Sequence, residues 1–195
     1  MGGIMSIILQ GSTSGSITLQ EPAIAGTTVL DLPATSGTIL TTGSSGQSIP
    51  KAALPTGSVL QVVQGTLTSQ FSSTSTSFVD TGLSASITPI TSSSKILISF
   101  TSQVLMQSNS VLIAADIYRN GSSLSGESTY GYVYLYTAGA QPTAPLVFQY
   151  LDSPATTSST TYKIYARSNN STTWYFGGSN SPNVKATITL MEIAA

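Results

Sequence analysis

The sequence predicts an all-β protein, an antiparallel jelly-roll-like sandwich preceded by an extended N-terminal β arm. Helix-favouring residues such as Glu, Lys, Arg and Gln are scarce, and charged residues make up only 7% of the chain. Val, Ile, Thr, Tyr and Phe recur in short runs that Gly, Pro, Asn and Ser interrupt. Within several runs, apolar and polar residues alternate. These three features are typical of antiparallel sheets that bury one face and expose the other.

The alternation is clearest in three segments, 95–101, 161–167 and 186–190. Every second residue there is apolar, and these residues form the predicted core face: Ile96, Ile98, Phe100, Tyr162, Ile164, Ala166, Ala186, Ile188 and Leu190. The residues between them are expected to face solvent, because successive side chains of a strand point to opposite faces. This pattern predicts a sandwich or a barrel.

Roughly eight to ten candidate strands follow residue 57, the number expected of a double-sheet jelly roll. The runs are Val59–Thr68, Phe78–Ile87, Lys95–Met106, Val111–Arg119, Tyr130–Tyr136, Leu146–Leu151, Thr160–Ala166, Thr172–Phe176 and Lys185–Ile193. Asn120-Gly121 predicts a tight hairpin turn, because both turn positions need a positive φ. Asp152-Ser153-Pro154 and Gly177-Gly178 mark further strand ends.

The chain divides near Pro55-Thr56-Gly57 into an arm, residues 1–57, and a head, residues 58–195. The arm contains only short apolar pieces, such as Ser16–Leu19, Thr28–Leu32 and Gly37–Leu40. One chain cannot bury them in a core of its own, but three strands wound about a common axis can. The alternative is an arm that becomes ordered only on a larger partner. The residues expected to attach the arm are Ile7, Ile8, Leu9, Ile17, Leu19, Val29, Leu30 and Leu32.

The composition removes most of the usual means of catalysis. The chain has no His and no Cys, and six basic residues against seven acidic ones give a net charge of −1. A Ser-His-Asp triad is therefore impossible, disulfides are excluded, and nothing neutralises a row of phosphates. No Asp-rich calcium loop occurs. We expect a non-enzymatic protein without cofactor or metal that binds no nucleic acid.

The first eleven residues, MGGIMSIILQG, are apolar but too short to span a bilayer. They also lack the basic region and the cleavage site of a signal peptide. We therefore expect a protein that is made in a cytoplasm and does not insert into a membrane.

Three acidic residues of the head, Asp116, Glu127 and Asp152, are the candidates for a paired-carboxylate glycosidase site, but each is isolated in sequence. Asp116 lies within an apolar strand. It is expected either to face outward or to meet an Arg at a subunit interface.

Four tyrosines recur at every second position: Tyr130, Tyr132, Tyr134 and Tyr136. Spacing of two predicts one exposed face of four phenols, with Val133 and Leu135 facing the core. Three interpretations are open: a trimer interface near a symmetry axis, contact with a receptor, and ordinary cross-strand packing. The shorter aromatic run Trp174-Tyr175-Phe176 resembles this pattern, so Trp174 is assigned to the same surface. One of the three side chains is expected in the core.

Three stretches of the chain carry a resemblance that extends from the arm to the last residues of the head. The arm GSTSGSITLQEPAIAGTTVLDLPATSGTIL resembles a segment of tail-fibre and other virion structural proteins of tailed bacteriophages. The stretch LDSPATTSSTTYKIYARSNN and the ending ATITLMEIAA resemble the C-terminal heads of the same proteins. Such heads resemble the trimeric jelly rolls of the complement and tumour-necrosis-factor kind. The resemblance implies a trimer with an N-terminal attachment segment and an outward-facing head.

The expected function is therefore that of a homotrimeric virion surface protein, assembled in the host cytoplasm. In the leading version it is a short fibre or spike, held by tail or baseplate proteins, whose head contacts a host-surface glycan or protein. The alternative is a capsid decoration (cement) protein on the major capsid protein. The arm has fewer than about 60 residues, at most about 200 Å when fully extended, which favours the alternative. A lectin-like carbohydrate-binding module is a third possibility.

Overall fold

The computed structural model describes residues 6–10, 13–20, 54–107, 111–137, 143–177 and 185–195, and these residues form β-strands and no helix. The strands are β1 (Ser6–Gln10), β2 (Ser16–Gln20), β3 (Val59–Leu67), β4 (Phe71–Ser73), β5 (Val79–Ile87), β6 (Lys95–Met106), β7 (Val111–Arg119), β8 (Ser122–Ser123), β9 (Val133–Thr137), β10 (Thr143–Asp152), β11 (Thr160–Ser168), β12 (Trp174–Phe176) and β13 (Ala186–Ile193). In these ranges no helix is long and apolar enough to cross a membrane. The predicted all-β class is confirmed.

The sandwich consists of two antiparallel sheets. In the first sheet the long strands follow the order β3-β13-β6-β10. The short strand β12 pairs with the last residues of β6, on the same side of β6 as β13, and β4 pairs with β12. In the second sheet the order is β5-β11-β7-β9, with β8 also paired to β7. From β4 to β7 and from β9 to β12, successive strands alternate between the two sheets, as in a jelly roll.

The core lies between the two sheets and follows the predicted alternation. All the residues predicted for the core face of segments 95–101, 161–167 and 186–190 are buried. The largest fully buried side chains are those of Trp174, Tyr162, Phe100 and Phe176. Phe100 stacks on Phe176 with ring centroids 5.8 Å apart, so the middle of the core is aromatic.

One edge of the sandwich is closed by backbone contact. A Cβ atom added to Gly65 of β3 would lie 1.9 Å from the carbonyl oxygen of Ser84 of β5. The absence of a side chain at residue 65 therefore lets the edge strands of the two sheets approach each other. At the opposite edge, Tyr132 packs against Phe148 and Tyr150, with ring centroids 5.9 and 4.7 Å away.

The predicted turn at Asn120-Gly121 joins β7 to β8. Both residues have positive φ, 48° and 90°, as a tight hairpin turn requires. The backbone N–H of Asn120 donates to Thr161 O at 2.9 Å, and the N–H of Thr161 donates to Asn120 Oδ1 at 2.9 Å. The turn is thereby held to the start of β11.

The chain forms two compact units, Met1–Gln47 and Ser48–Ala195. In the first unit, β1 and β2 form an antiparallel hairpin that pairs Ile7 with Leu19, Ile8 with Thr18 and Leu9 with Ile17. Ile8 is exposed. The predicted attachment residues Val29, Leu30 and Leu32 lie outside the described residues.

The predicted boundary at residue 57 stays a prediction. The N–H of Gly57 donates to Ala194 O at 2.8 Å, and the N–H of Ala194 donates to Ser58 O at 2.9 Å. These bonds attach the last residues of the predicted arm to the C-terminal strand of the sandwich.

Candidate interaction surfaces

The outer side of the first sheet is a flat surface to which four strands contribute. We call it the neutral face, and its residues are Val62, Gln64, Thr66, Leu97, Ser99, Thr101, Val147, Gln149, Leu151, Thr187, Thr189 and Met191. Each is exposed or half-buried, whereas the residues that alternate with them face the core. None of these residues is charged, and Lys95, the exposed first residue of β6, lies on the same side at the end of the face.

The strand register divides the neutral face into rows that run across the strands. One row is apolar throughout: Val62, Met191, Leu97 and Leu151. Val62 is 56% exposed and Leu151 48%. The next row carries only hydroxyls and amides, and in it Gln64 Nε2 donates to Thr189 Oγ1 at 3.1 Å. A shallow open depression of about 430 Å³ lies at Ser99, Thr101, Val147 and Gln149.

The outer side of the second sheet has a different character. Lys163 forms an ion pair with Asp80, with Nζ 2.8 Å from Oδ2, and Arg167 lies 6.0 Å from the ring centroid of Phe78. The rings of Tyr118 and Tyr165 stack at 3.8 Å. The two outer faces of the sandwich therefore differ in both charge and aromatic content.

Three of the four predicted tyrosines are exposed on this second side. Tyr130, Tyr134 and Tyr136 are 48%, 54% and 57% exposed. The rings of Tyr130 and Tyr134 lie 5.0 Å apart at an angle of 48°. We call these three residues the tyrosine surface. Val133 and Leu135 pack against the core, as predicted.

The fourth tyrosine, Tyr132, departs from the prediction. Its ring is half-buried against Phe148 and Tyr150. Gly131 has φ +58° and forms a bridge with Ala115, which breaks the alternation just before β9 begins. Tyr132 and Val133 therefore both pack against the core. Burial raises the pKa of Tyr132, and its hydrogen bond with Tyr150 raises it further.

Trp174 does not belong to the exposed surface with which it was grouped, since it is fully buried. Its strand β12 is flanked by β6 on one side and β4 on the other. Trp174 and Phe176 face the core, and the Trp174 ring lies 5.8 Å from that of Phe71. Between them Tyr175 points the other way and accepts a hydrogen bond from Gln107 Nε2 at 3.0 Å.

Asp116 is buried, whereas an outward-facing residue would be exposed, and its interpretation as an interface partner of an Arg stays a prediction. It does lie on the outer side of β7, because it alternates with the core residues Ala115 and Ile117. Strand β8 folds back over it, and Ser123 Oγ of β8 donates to Asp116 Oδ2 at 2.6 Å. The N–H of Ile117 in β7 donates to Oδ1 at 2.8 Å. Strand periodicity does not reveal such a cover.

Glu192 is a buried carboxylate that the sequence analysis did not identify. Gln61 Nε2 donates to its Oε2 at 2.5 Å, and the N–H of Ile90 donates to its Oε1 at 2.7 Å. Burial by itself raises the pKa of Glu192. Hydrogen bonds from Ser94, Gln61 and the N–H groups of Ile90 and Thr91 outweigh burial and hold the pKa below its ordinary value. The carboxylate thereby holds together the loop between β5 and β6.

Within the described ranges, no three His, Cys, Asp or Glu residues come together in a way that could hold a metal ion. The other two acidic candidates do not lie together. Asp152 is buried and forms an ion pair with Arg119, whereas Glu127 is exposed.

No family model matches the chain, and no curated protein matches it. Among solved structures, the chain is similar to one in the T13 infectious bursal disease virus particle, with 16% identity, a TM-score of 0.38 and coverage of 69% of this chain and 36% of that one. A chain of the Gx strain of that virus has 17% identity, a TM-score of 0.39 and coverage of 70% and 37%. One of the Gt strain has 14% identity, a TM-score of 0.40 and coverage of 93% and 48%. This chain thus spans less than half the length of the chains that it resembles.

Proposed function

We propose that this chain is a non-enzymatic virion surface protein of a tailed bacteriophage and acts as a homotrimer. Residues 1–57 attach it to the particle, and the sandwich projects as the head of a short fibre or spike. The resemblance of the arm and of segment 151–170 to phage virion proteins supports this role. The absence of His and Cys from the chain supports a function in binding rather than in catalysis.

The observation that supports self-association is the neutral face, and the number of three copies follows from the resemblance. Surfaces that associate with copies of themselves are poor in charge at their centre and contain apolar side chains there. The row formed by Val62, Met191, Leu97 and Leu151 provides the apolar contact. Because none of the residues of the neutral face is charged, they can be buried against another copy without enclosing an unpaired charge, and Lys95 then lies at the rim of the contact. The polar row beside it supplies hydroxyls and amides for hydrogen bonds between subunits.

The test is the mass of the purified protein in solution, with one charge introduced at a time. For the wild type we expect the mass of a trimer in solution. Val147→Glu and Leu151→Glu place a carboxylate on the neutral face and should shift the mass toward the monomer. Ser84→Glu is the matched control. Ser84 is exposed on the second sheet, where it lies opposite Lys163 in the strand register. A wild-type monomer, or equal dissociation by all three variants, contradicts the proposal.

The number of copies on a purified virion separates a fibre from a capsid decoration protein. A fibre or spike head is expected in a handful of copies. A decoration protein covers the shell and requires hundreds. Quantitative mass spectrometry against a major structural protein of the same particle makes the count. A count in the hundreds replaces the fibre with the decoration protein and leaves the trimer intact.

A further inference from the structure

The tyrosine surface is aromatic area that the sandwich itself does not use. Tyr130, Tyr134 and Tyr136 each leave about half of their surface in water. Their neighbour in sequence, Tyr132, is instead used by the sandwich, because its ring packs against Phe148 and Tyr150. The tyrosine surface lies on the second sheet and the neutral face on the first, so association through the neutral face leaves the tyrosines free.

The segment that carries Tyr130 is held rigidly against the second sheet. Arg167 Nη1 donates to Ser128 O at 2.7 Å, and the N–H of Leu124 donates to Ile117 O at 2.9 Å. At residue 131 a Cβ atom would lie 2.5 Å from the carbonyl oxygen of Ala115, so only glycine allows this approach. The ring of Tyr130 is thus positioned beside Tyr134 before any ligand arrives, which lowers the entropic cost of binding.

The charges around the tyrosine surface indicate which ligands it suits. The exposed ionisable group in the segment is Glu127, which repels anions. Arg167 is already engaged by Ser128 O. Among the described residues of this segment and of β9, no Lys or Arg occurs. The rim instead carries hydroxyls, from Ser125, Ser128 and Thr129. Arg167 keeps its charge while it donates to Ser128 O, so a polyanion such as a nucleic acid or an acidic polysaccharide meets a single cation here, opposed by Glu127, and no row of counter-charges.

We propose that the tyrosine surface binds a neutral carbohydrate. The C–H face of a pyranose ring packs on an aromatic ring, and its hydroxyls exchange hydrogen bonds with phenols and with Ser and Thr side chains. The surface is open, so a single contact is weak. The proposal rests on the proposed function in one respect: three copies presented on one particle bind a polymeric glycan together, and their avidity exceeds the affinity of one site.

The experiment measures retardation of the full-length protein in gels that contain dextran, mannan or galactan, with dextran sulfate as the charged counterpart of dextran. We expect at least one neutral polymer to retard the wild type, equally at about 50 mM and about 500 mM NaCl, because uncharged contacts are not screened. Tyr134→Ala and Tyr136→Ala should weaken binding by about tenfold or more. Tyr134→Phe keeps the ring and should stay within about threefold of the wild type. Tyr175→Ala, on the first sheet, is the control and should change nothing.

Each of the following results overturns the inference: no retardation by any neutral polymer, binding only to dextran sulfate with loss at high salt, or equal weakening by Tyr175→Ala. The mass of each variant is measured in parallel. If Tyr134→Ala dissociates the oligomer, a second copy of this chain occupies the tyrosine surface, and the carbohydrate inference fails. If the wild type is a monomer that still binds a neutral polymer through Tyr134, the trimer fails and the carbohydrate site stands.

Discussion

The phenol of Tyr162 donates a hydrogen bond to Asp152 Oδ2 at 2.7 Å, and this bond joins the two sheets of the sandwich. Tyr162 belongs to β11 of the second sheet and Asp152 ends β10 of the first. Arg119 Nη1 donates to both oxygens of the same carboxylate at 2.9 Å. The buried Asp152 carboxylate therefore accepts hydrogen bonds from two residues of the opposite sheet. Burial of the Tyr162 phenol, together with its hydrogen bond to Asp152, raises the pKa of Tyr162.

Removing the Tyr162 hydroxyl should weaken the sandwich measurably. Tyr162→Phe leaves the ring in place but deprives Asp152 of one donor, so the free energy of unfolding should fall by about 1–2 kcal/mol. Urea denaturation measures the loss. Tyr165→Phe, on the outer side of the same strand, should change stability by less than about 0.5 kcal/mol. If the two variants are equally stable, the bond between the sheets contributes nothing.

Adding a methyl group at residue 65 should separate the edge strands. The Cβ atom of Gly65→Ala would lie 1.9 Å from Ser84 O, and backbone cannot move aside as a flexible side chain can. We expect a loss of about 3 kcal/mol or more, or failure to fold. Ser84→Ala alters the same contact region without touching the carbonyl and should cost less than about 0.5 kcal/mol. Thermal unfolding of both variants is the measurement, and a stable Gly65→Ala protein contradicts the closed edge.

Acid should destabilise the protein in part through Glu192. Because the pKa of Glu192 in the folded protein is below its ordinary value, the unfolded chain binds a proton more readily. Its contribution to stability is thus full above about pH 5 and is lost as the pH falls below the ordinary value of about 4.3 and through the folded pKa. Glu192→Gln should lower stability at neutral pH, and its curve should converge with the wild-type curve at acid pH.

Urea midpoints measured across this pH range test the role of Glu192. Glu127→Gln is the matched control, because Glu127 is exposed and should leave the wild-type pH dependence intact. Parallel curves for the wild type and Glu192→Gln would mean that the buried carboxylate does not carry the acid sensitivity.

Deleting the first compact unit tests the attachment role of the arm. The unit Ser48–Ala195 contains the whole sandwich core, so a protein that lacks residues 1–47 should fold with an unchanged β-sheet circular dichroism spectrum. It should no longer assemble onto particles that lack the wild-type protein. Sedimentation of particles followed by immunoblotting makes the comparison. If the shortened protein still sediments with the particles, the sandwich attaches it instead.

Local patterns in the sequence were sufficient for the class of fold and for most strands. The period of two identified the core residues Ile96, Ile98 and Phe100, and Asn120-Gly121 identified the turn. These features could be predicted because they depend on side-chain direction and backbone φ within a few consecutive residues. Those constraints act in any sheet, whatever lies above it.

Whether an individual candidate residue is buried or exposed depends on its contacts with other segments of the chain. Trp174 is buried because β4 closes the sheet beside β12, and Asp116 is buried because β8 folds back over it. Tyr132 turns inward where Gly131 meets Ala115. Glu192 finds its donors in a loop about a hundred residues earlier, at Ile90. Alternation specifies which side of a strand a residue occupies. Whether that side is covered depends on long-range packing, which leaves no local periodic pattern in the sequence.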